Sequence, residues 1–218
     1  MRGFYPQECI LSVWWHMDVT AMLEAAHHLA RIGRYNDAIS EYDKVLAVDP
    51  GNTPALEQKG NVFYAIGRHE DALSCYDRAL KLNPHLMTTW FEKGYTLRKI
   101  GRFAEALECF ERALALDPDY TLALTNKGYA LNALGRHEDA LACFERILEN
   151  SQNNIRAMTA KGIALMGLGR YEEALAVFDI AVSLNPINSF VWQNRAEALR
   201  RLGREAEAEE SCRRIFNL

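Results

Sequence analysis

The sequence predicts an all-α protein, a solenoid of stacked antiparallel helix pairs, and three observations carry that prediction. The dipeptide Gly-Arg recurs at 33–34, 67–68, 101–102, 135–136, 169–170 and 203–204, a spacing of 34 residues kept six times without an insertion. Four residues after each arginine stands an alanine (Ala38, Ala72, Ala106, Ala140, Ala174, Ala208), and four further on Tyr42, Tyr76, Phe110, Phe144, Phe178 or Cys212. Prolines close the units at Pro50, Pro84, Pro118 and Pro186, each after Asp or Asn. A fixed period of this length marks a repeat that grows along one axis rather than around one core.

Counting back from the prolines sets the units at 19–52, 53–86, 87–120, 121–154, 155–188 and 189–218, one repeat domain preceded by residues 1–18. Numbering places from the start of each unit, small or apolar residues at places 4, 8 and 11 share a helical face, as Trp90, Gly94 and Leu97 do, and place 7 lies on the same side. Places 20, 24 and 27 form a second such face. Two amphipathic helices follow. The glycine between them can take the left-handed conformation that ends a helix, and the Asp-Pro or Asn-Pro step ends the second. Place 19 is acidic in all six units (Asp37, Asp71, Glu105, Asp139, Glu173, Glu207), which suits the first turn of the second helix. Glycine at place 8 (Gly60, Gly94, Gly128, Gly162) costs about 1 kcal/mol against alanine inside a helix, so close helix approach is expected there.

The unit 87–120, MTTWFEKGYTLRKIGRFAEALECFERALALDPDY, resembles the tetratricopeptide repeat. Trp90, Gly94, Leu97, Ala106, Phe110 and Pro118 match its pattern, while Lys93 stands where that pattern has leucine. The resemblance covers residues 19–218 and lapses at Gln152, which replaces a closing proline, and at Glu205 and Cys212. It implies a right-handed superhelix of antiparallel helix pairs whose first helices line a concave groove that binds extended peptides or helices. One subgroup of the family grips chaperone carboxy-termini with a clamp of Lys, Asn, Asn, Lys and Arg. The best window here offers Phe91, Tyr95, Asn126, Arg156 and Ala160, so that clamp is not expected.

Composition excludes several other functions. With 29 acidic against 25 basic residues and a net charge of −4, the long-range field does not attract DNA or RNA, although some helical-hairpin repeats do read RNA. No apolar run approaches the length of a membrane helix. Residues 1–18, MRGFYPQECILSVWWHMD, lack a signal-peptide cleavage site and form either a disordered leader or an extra helix on the first unit. In the ordered case Phe4, Trp14 and Trp15 are expected to be partly buried. Five cysteines, three of them (Cys75, Cys109, Cys143) at place 23, suit a reducing cytoplasm better than a disulfide framework.

Neither a phosphate-binding loop nor a metalloprotease or zinc motif is present, so no enzyme, cofactor or metal is expected. Adjacent His27 and His28 point about 100° apart and cannot serve one metal through one helix. The place-23 cysteines read as packing residues. The place-16 arginines read as helix-end residues that cap carbonyls and suit the dipole, rather than as a basic stripe. Residues 149–154, ENSQNN, suggest a looser joint between units four and five, and Glu209 gives the last unit a polar terminal face.

Function is expected on the face of the first helices opposite the core, at places 2, 5, 6, 9 and 13 with 12 at the margin. There stand Asn61, Tyr64, Phe91, Tyr95, Arg98, Lys99, Asn126, Tyr129, Asn132 and Arg156. Exposed aromatics beside Asn and Arg supply stacking area and hydrogen-bond donors, as binding hot spots do. These residues predict a groove that binds a protein or peptide partner. The opposing possibilities are that the tyrosines only bridge neighbouring helices, or that the N-terminal segment or the C-terminal end drives self-association.

Overall fold

A computed structural model describes the backbone of residues 7–216 and the side chains of residues 19–215; the expectation for Phe4, Trp14 and Trp15 lies outside the described residues. The described residues form twelve helices and no strand: α1 (Gln7–Arg31), α2 (Tyr35–Val48), α3 (Thr53–Ala65), α4 (His69–Leu82), α5 (Met87–Lys99), α6 (Phe103–Leu116), α7 (Thr121–Ala133), α8 (His137–Asn150), α9 (Ile155–Gly167), α10 (Tyr171–Leu184), α11 (Ser189–Arg201) and α12 (Glu205–Phe216). They build an all-α helical repeat fold in two compact units, residues 1–100 and 101–218.

Each hairpin turns on its Gly-Arg step. At Gly169 φ is 72°, the left-handed region that glycine enters without steric cost. Arg170 N–H donates to the Leu165 carbonyl at 2.9 Å and Gly169 N–H to the Met166 carbonyl at 3.1 Å, the paired bonds that close a helix in a Schellman turn. Arg170 is also the N-cap of α10, so three residues, Leu168, Gly169 and Arg170, join the helices. The arginine's role differs from the expected capping of carbonyls. Its guanidinium pairs with the place-19 acid of the following helix: Arg34 with Asp37, Arg68 with Asp71, Arg102 with Glu105, Arg136 with Asp139, Arg170 with Glu173 and Arg204 with Glu207, all at 2.6–2.7 Å. Arginine sits past the end of the first helix, where the nearer charge is the first-turn carboxylate.

Between repeats the Asx-Pro step makes a tight turn. Asp49 Oδ1 accepts from Gly51 N–H at 3.1 Å and Asp117 Oδ1 from Asp119 N–H at 3.0 Å, holding the chain as proline stops the helix. At the ENSQNN joint this device is absent, yet α8 has the same 14 residues as α4 and α6. Asn154 caps α9 there, accepting from Ala157 N–H at 3.1 Å. The side chains of Trp90 and Trp192 fasten two other joints, donating to the carbonyls of Pro84 and Pro186 at 2.9 and 2.8 Å.

The core is made by close approach. Phe144 lies over Gly128 and Phe178 over Gly162, so that a Cβ added at either glycine would sit 2.4–2.5 Å from a ring carbon. Tyr76 covers Gly60 in the same way in the first unit. The inward face of the first helices is wider than expected. In the second to sixth repeats place 3 (Ala55, Thr89, Ala123, Ala157, Val191) and place 10 (Val62, Thr96, Ala130, Ala164, Ala198) are buried. In the same repeats place 7, expected inside, holds a cation whose side chain is 12–25% exposed. Its side chain reaches out to an acid on the preceding repeat's second helix, pairing Lys59 with Asp43, Lys93 with Asp77, Lys127 with Glu111, Lys161 with Glu145 and Arg195 with Asp179. Long aliphatic stems explain the placement, since they cover apolar surface while the charge stays in water.

In the first unit α1, α3 and α5 touch side by side, and in the second α7, α9 and α11 do so. Each unit thereby presents a continuous face of first helices.

Candidate protein-binding face

On the first unit, α3 and α5 bring Tyr64, Phe91 and Tyr95 together. The Tyr64 and Tyr95 rings lie 5.7 Å apart, those of Phe91 and Tyr95 6.0 Å apart, and the Arg98 guanidinium sits 5.2 Å over Tyr95. Burial and a hydrogen bond with Tyr95 push the Tyr64 hydroxyl up to about 12. Phe91, expected on the outer side of the core, is only 8% exposed. Lys99 also reaches the Tyr95 ring, at 5.6 Å. Asn61 holds the hydroxyl of buried Tyr76 by accepting its proton at 2.7 Å.

The second unit carries the other predicted residues. Asn126 is 7% exposed and donates to the Leu122 carbonyl of its own helix at 2.8 Å, so its amide serves the fold. Asn132 Oδ1 and His137 Nδ1 are 3.1 Å apart, linking α7 to α8. Tyr129 packs its ring 5.7 Å from Phe144, and Arg156 is exposed. Of the four, Tyr129 and Arg156 alone line a cleft of 530 Å³ together with Ile155, Thr159, Ala160, Ile163, Asn185, Asn188 and Phe190.

That volume is in the range of ligand clefts. Its floor is apolar, from Ile155, Ala160 and Ile163, and Phe190 stands 55% exposed at its edge. Ile163 and Phe190 were not among the expected residues, although Ile163 is the one aliphatic residue at place 9 and Phe190 the one aromatic at place 2. Place 9 elsewhere holds His27, Asn61, Tyr95, Tyr129 and Glu197, and place 2 holds Thr20, Pro54, Thr88, Leu122 and Arg156. A bulky apolar residue at an outward place, matched at place 2 by Leu122, is the signal.

Among the described residues no group of His, Cys, Asp and Glu could hold a metal. His27 contacts the Tyr42 ring at 5.8 Å, and His28 pairs with Arg31. Cys75, Cys109 and Cys143 are buried free thiols, and burial raises those of Cys75 and Cys143 above the ordinary thiol range, which makes them poor nucleophiles. No described helix is long and apolar enough to cross a membrane.

No curated protein sequence matches this chain. Solved structures do. A tetratricopeptide repeat protein from Parabacteroides merdae matches with a TM-score of 0.84 at 21% identity, over 92% of this chain and 80% of that one. A MamA protein matches at 0.73 and 26% identity, over 77% and 92%. YrrB, a repeat protein described as having an unusual peptide-binding site, matches at 0.68 and 22%, over 81% and 91%. Two tetratricopeptide repeat families match residues 91–155 and 159–216, and residues 52–119, respectively. The sequence period, the helix pairs and these matches agree, and the chain belongs to the tetratricopeptide repeat family.

Proposed function

We propose that this chain is a non-catalytic scaffold that holds an extended or helical segment of a partner protein against its first helices, with the cleft of α7, α9 and α11 as the principal seat. The family supports a protein-interaction role in general. The observation that carries the finer reading is the 530 Å³ cleft, in which Ile163 adds to an apolar floor and the aromatic ring of Phe190 stands exposed at the edge. Exposing a bulky aromatic beside an apolar floor has a hydration cost that a bound partner removes. The aromatic cluster of α3 and α5 is a second contact surface. A net charge of −4 speaks against nucleic acid as the partner, and buried free thiols suit the reducing cytoplasm.

Capture of a partner from extract of the source cell by the wild-type chain and by a Tyr129→Ala/Phe190→Ala variant tests the assignment. A partner retained by the first and lost by the second, with helical circular dichroism unchanged, is the expected outcome. Equal retention by both would remove the cleft from the proposal.

A further inference from the structure

The polar groups around the second-unit cleft are of one kind. Asn185 Oδ1 accepts from Ile187 N–H at 3.3 Å and Asn188 Oδ1 from Val191 N–H at 3.3 Å, which assigns the oxygen of each amide and leaves its NH₂ group as a donor. Among the described residues neither Nδ2 meets an acceptor. Arg156 is exposed, and among the described residues it has no acidic partner, unlike the place-7 and place-16 cations, which are paired in every repeat that has them. Thr159 spends its hydroxyl proton on the Ile155 carbonyl at 2.7 Å. No carboxylate lines the cleft. In a protein of net charge −4 this is a local cationic, donor-rich rim over an apolar floor.

A ligand matching such a rim brings acceptors and negative charge, and one matching the floor brings bulky apolar side chains. Resting on the cleft reading above, we propose that the seat formed by Arg156, Ile163, Asn185, Asn188 and Phe190 selects an extended peptide segment in which an internal Asp or Glu lies within two or three residues of a large aliphatic or aromatic residue. The acidic side chain pairs with the Arg156 guanidinium. The apolar side chain packs between Ile163 and Phe190, and the segment's carbonyls accept from the two asparagine amides. A pairing of this kind is charge-assisted and weakened by salt. An internal carboxylate is preferred over a chain terminus because a single guanidinium faces the cleft, without the second cation that a main-chain carboxylate beside an acidic side chain would need.

The test is selection from a random library of N-acetylated, C-amidated nonapeptides by three full-length chains: wild type, Arg156→Gln and Arg156→Glu. The wild type is expected to enrich Asp or Glu at one position beside a bulky apolar residue. Synthetic peptides from that pool should bind Arg156→Gln about tenfold more weakly, the factor expected when one charge-assisted hydrogen bond is lost. Arg156→Glu should select Lys or Arg at the same position, an inversion that a merely misfolded variant could not produce. Peptides enriched without an acidic position, or bound equally by Arg156→Gln, would overturn this inference and leave the cleft reading standing. Retention of no peptide by the wild type would overturn both. A parallel library with free carboxy-termini separates the sources of charge, since enrichment confined to that arm would overturn the internal-acid assignment. Sedimentation of the wild type as an oligomer that Phe190→Ala dissociates would assign the seat to a second copy instead.

Discussion

Helices α5 and α9 are made from the same repeat, yet the outward face of α5 is covered by its own rings and that of α9 borders an open cleft. At places 5 and 9 the first unit sets Phe91 and Tyr95, whose rings meet each other, Tyr64 and the Arg98 guanidinium. At the same places α9 sets Thr159 and Ile163, and Ala160 at place 6 adds little bulk, so the space becomes a 530 Å³ cleft. The backbone scaffold is common to both. Side-chain volume at three places on a helix decides whether the chain covers its own aromatic surface or leaves an open cleft.

The comparison can be broken most severely from beneath. Phe178 is fully buried against Gly162, and Phe178→Ala should cost about 3–5 kcal/mol in denaturant unfolding, with hydrogen exchange accelerating across α9 and α10 while α3 and α4 stay protected. Thr159→Phe copies the first unit's place 5 into the second. It should lower affinity for a cleft-bound peptide by tenfold or more in fluorescence titration, with the fold retained. The reverse exchange, Phe91→Thr with Tyr95→Ile, should open a cleft on α3 and α5 and give a measurable gain of apolar-dye binding there, smaller than the loss in the first experiment because Arg98 and Lys99 still border the space.

A subtler difference lies in titration. Burial, aided by Glu57, raises the Glu92 carboxyl on α5 above its ordinary value of 4.5. The folded state therefore holds that proton more tightly than the unfolded chain does, and stability falls as pH rises from 4.5 through the folded value. Glu92→Gln should raise the thermal midpoint at pH 7 by a few degrees and have no effect below pH 4, with the gain confined to the first unit. Smallest of all, Lys161→Met removes one rung of the place-7 ladder and should change unfolding free energy by about 1 kcal/mol or less.

Much of this architecture was readable from residue order. The Gly-Arg period announces the hairpins because a left-handed residue must follow the first helix, and glycine at place 8 announces the close approach of an aromatic at place 24. The place-7 cations were misplaced for a physical reason: periodicity gives the direction of a Cα–Cβ bond, whereas a lysine stem can follow that direction inward and still carry its charge out. Asn126 and Phe91 were read as available surface on the same basis, and neighbouring side chains bury them.

The sequence by itself determined the repeat, its register, the helix pairs and the positions of their turns, since each depends on contacts within or between adjacent segments of fixed length. Only the tertiary structure decided which outward residues remain free. That outcome depends on whether the neighbouring repeat supplies a ring, as Tyr64 does for Tyr95, or leaves a gap, as Ala160 and Ile163 do beneath Phe190. Space between helices is set by the sum of side chains from several repeats, and no single stretch of sequence contains that sum.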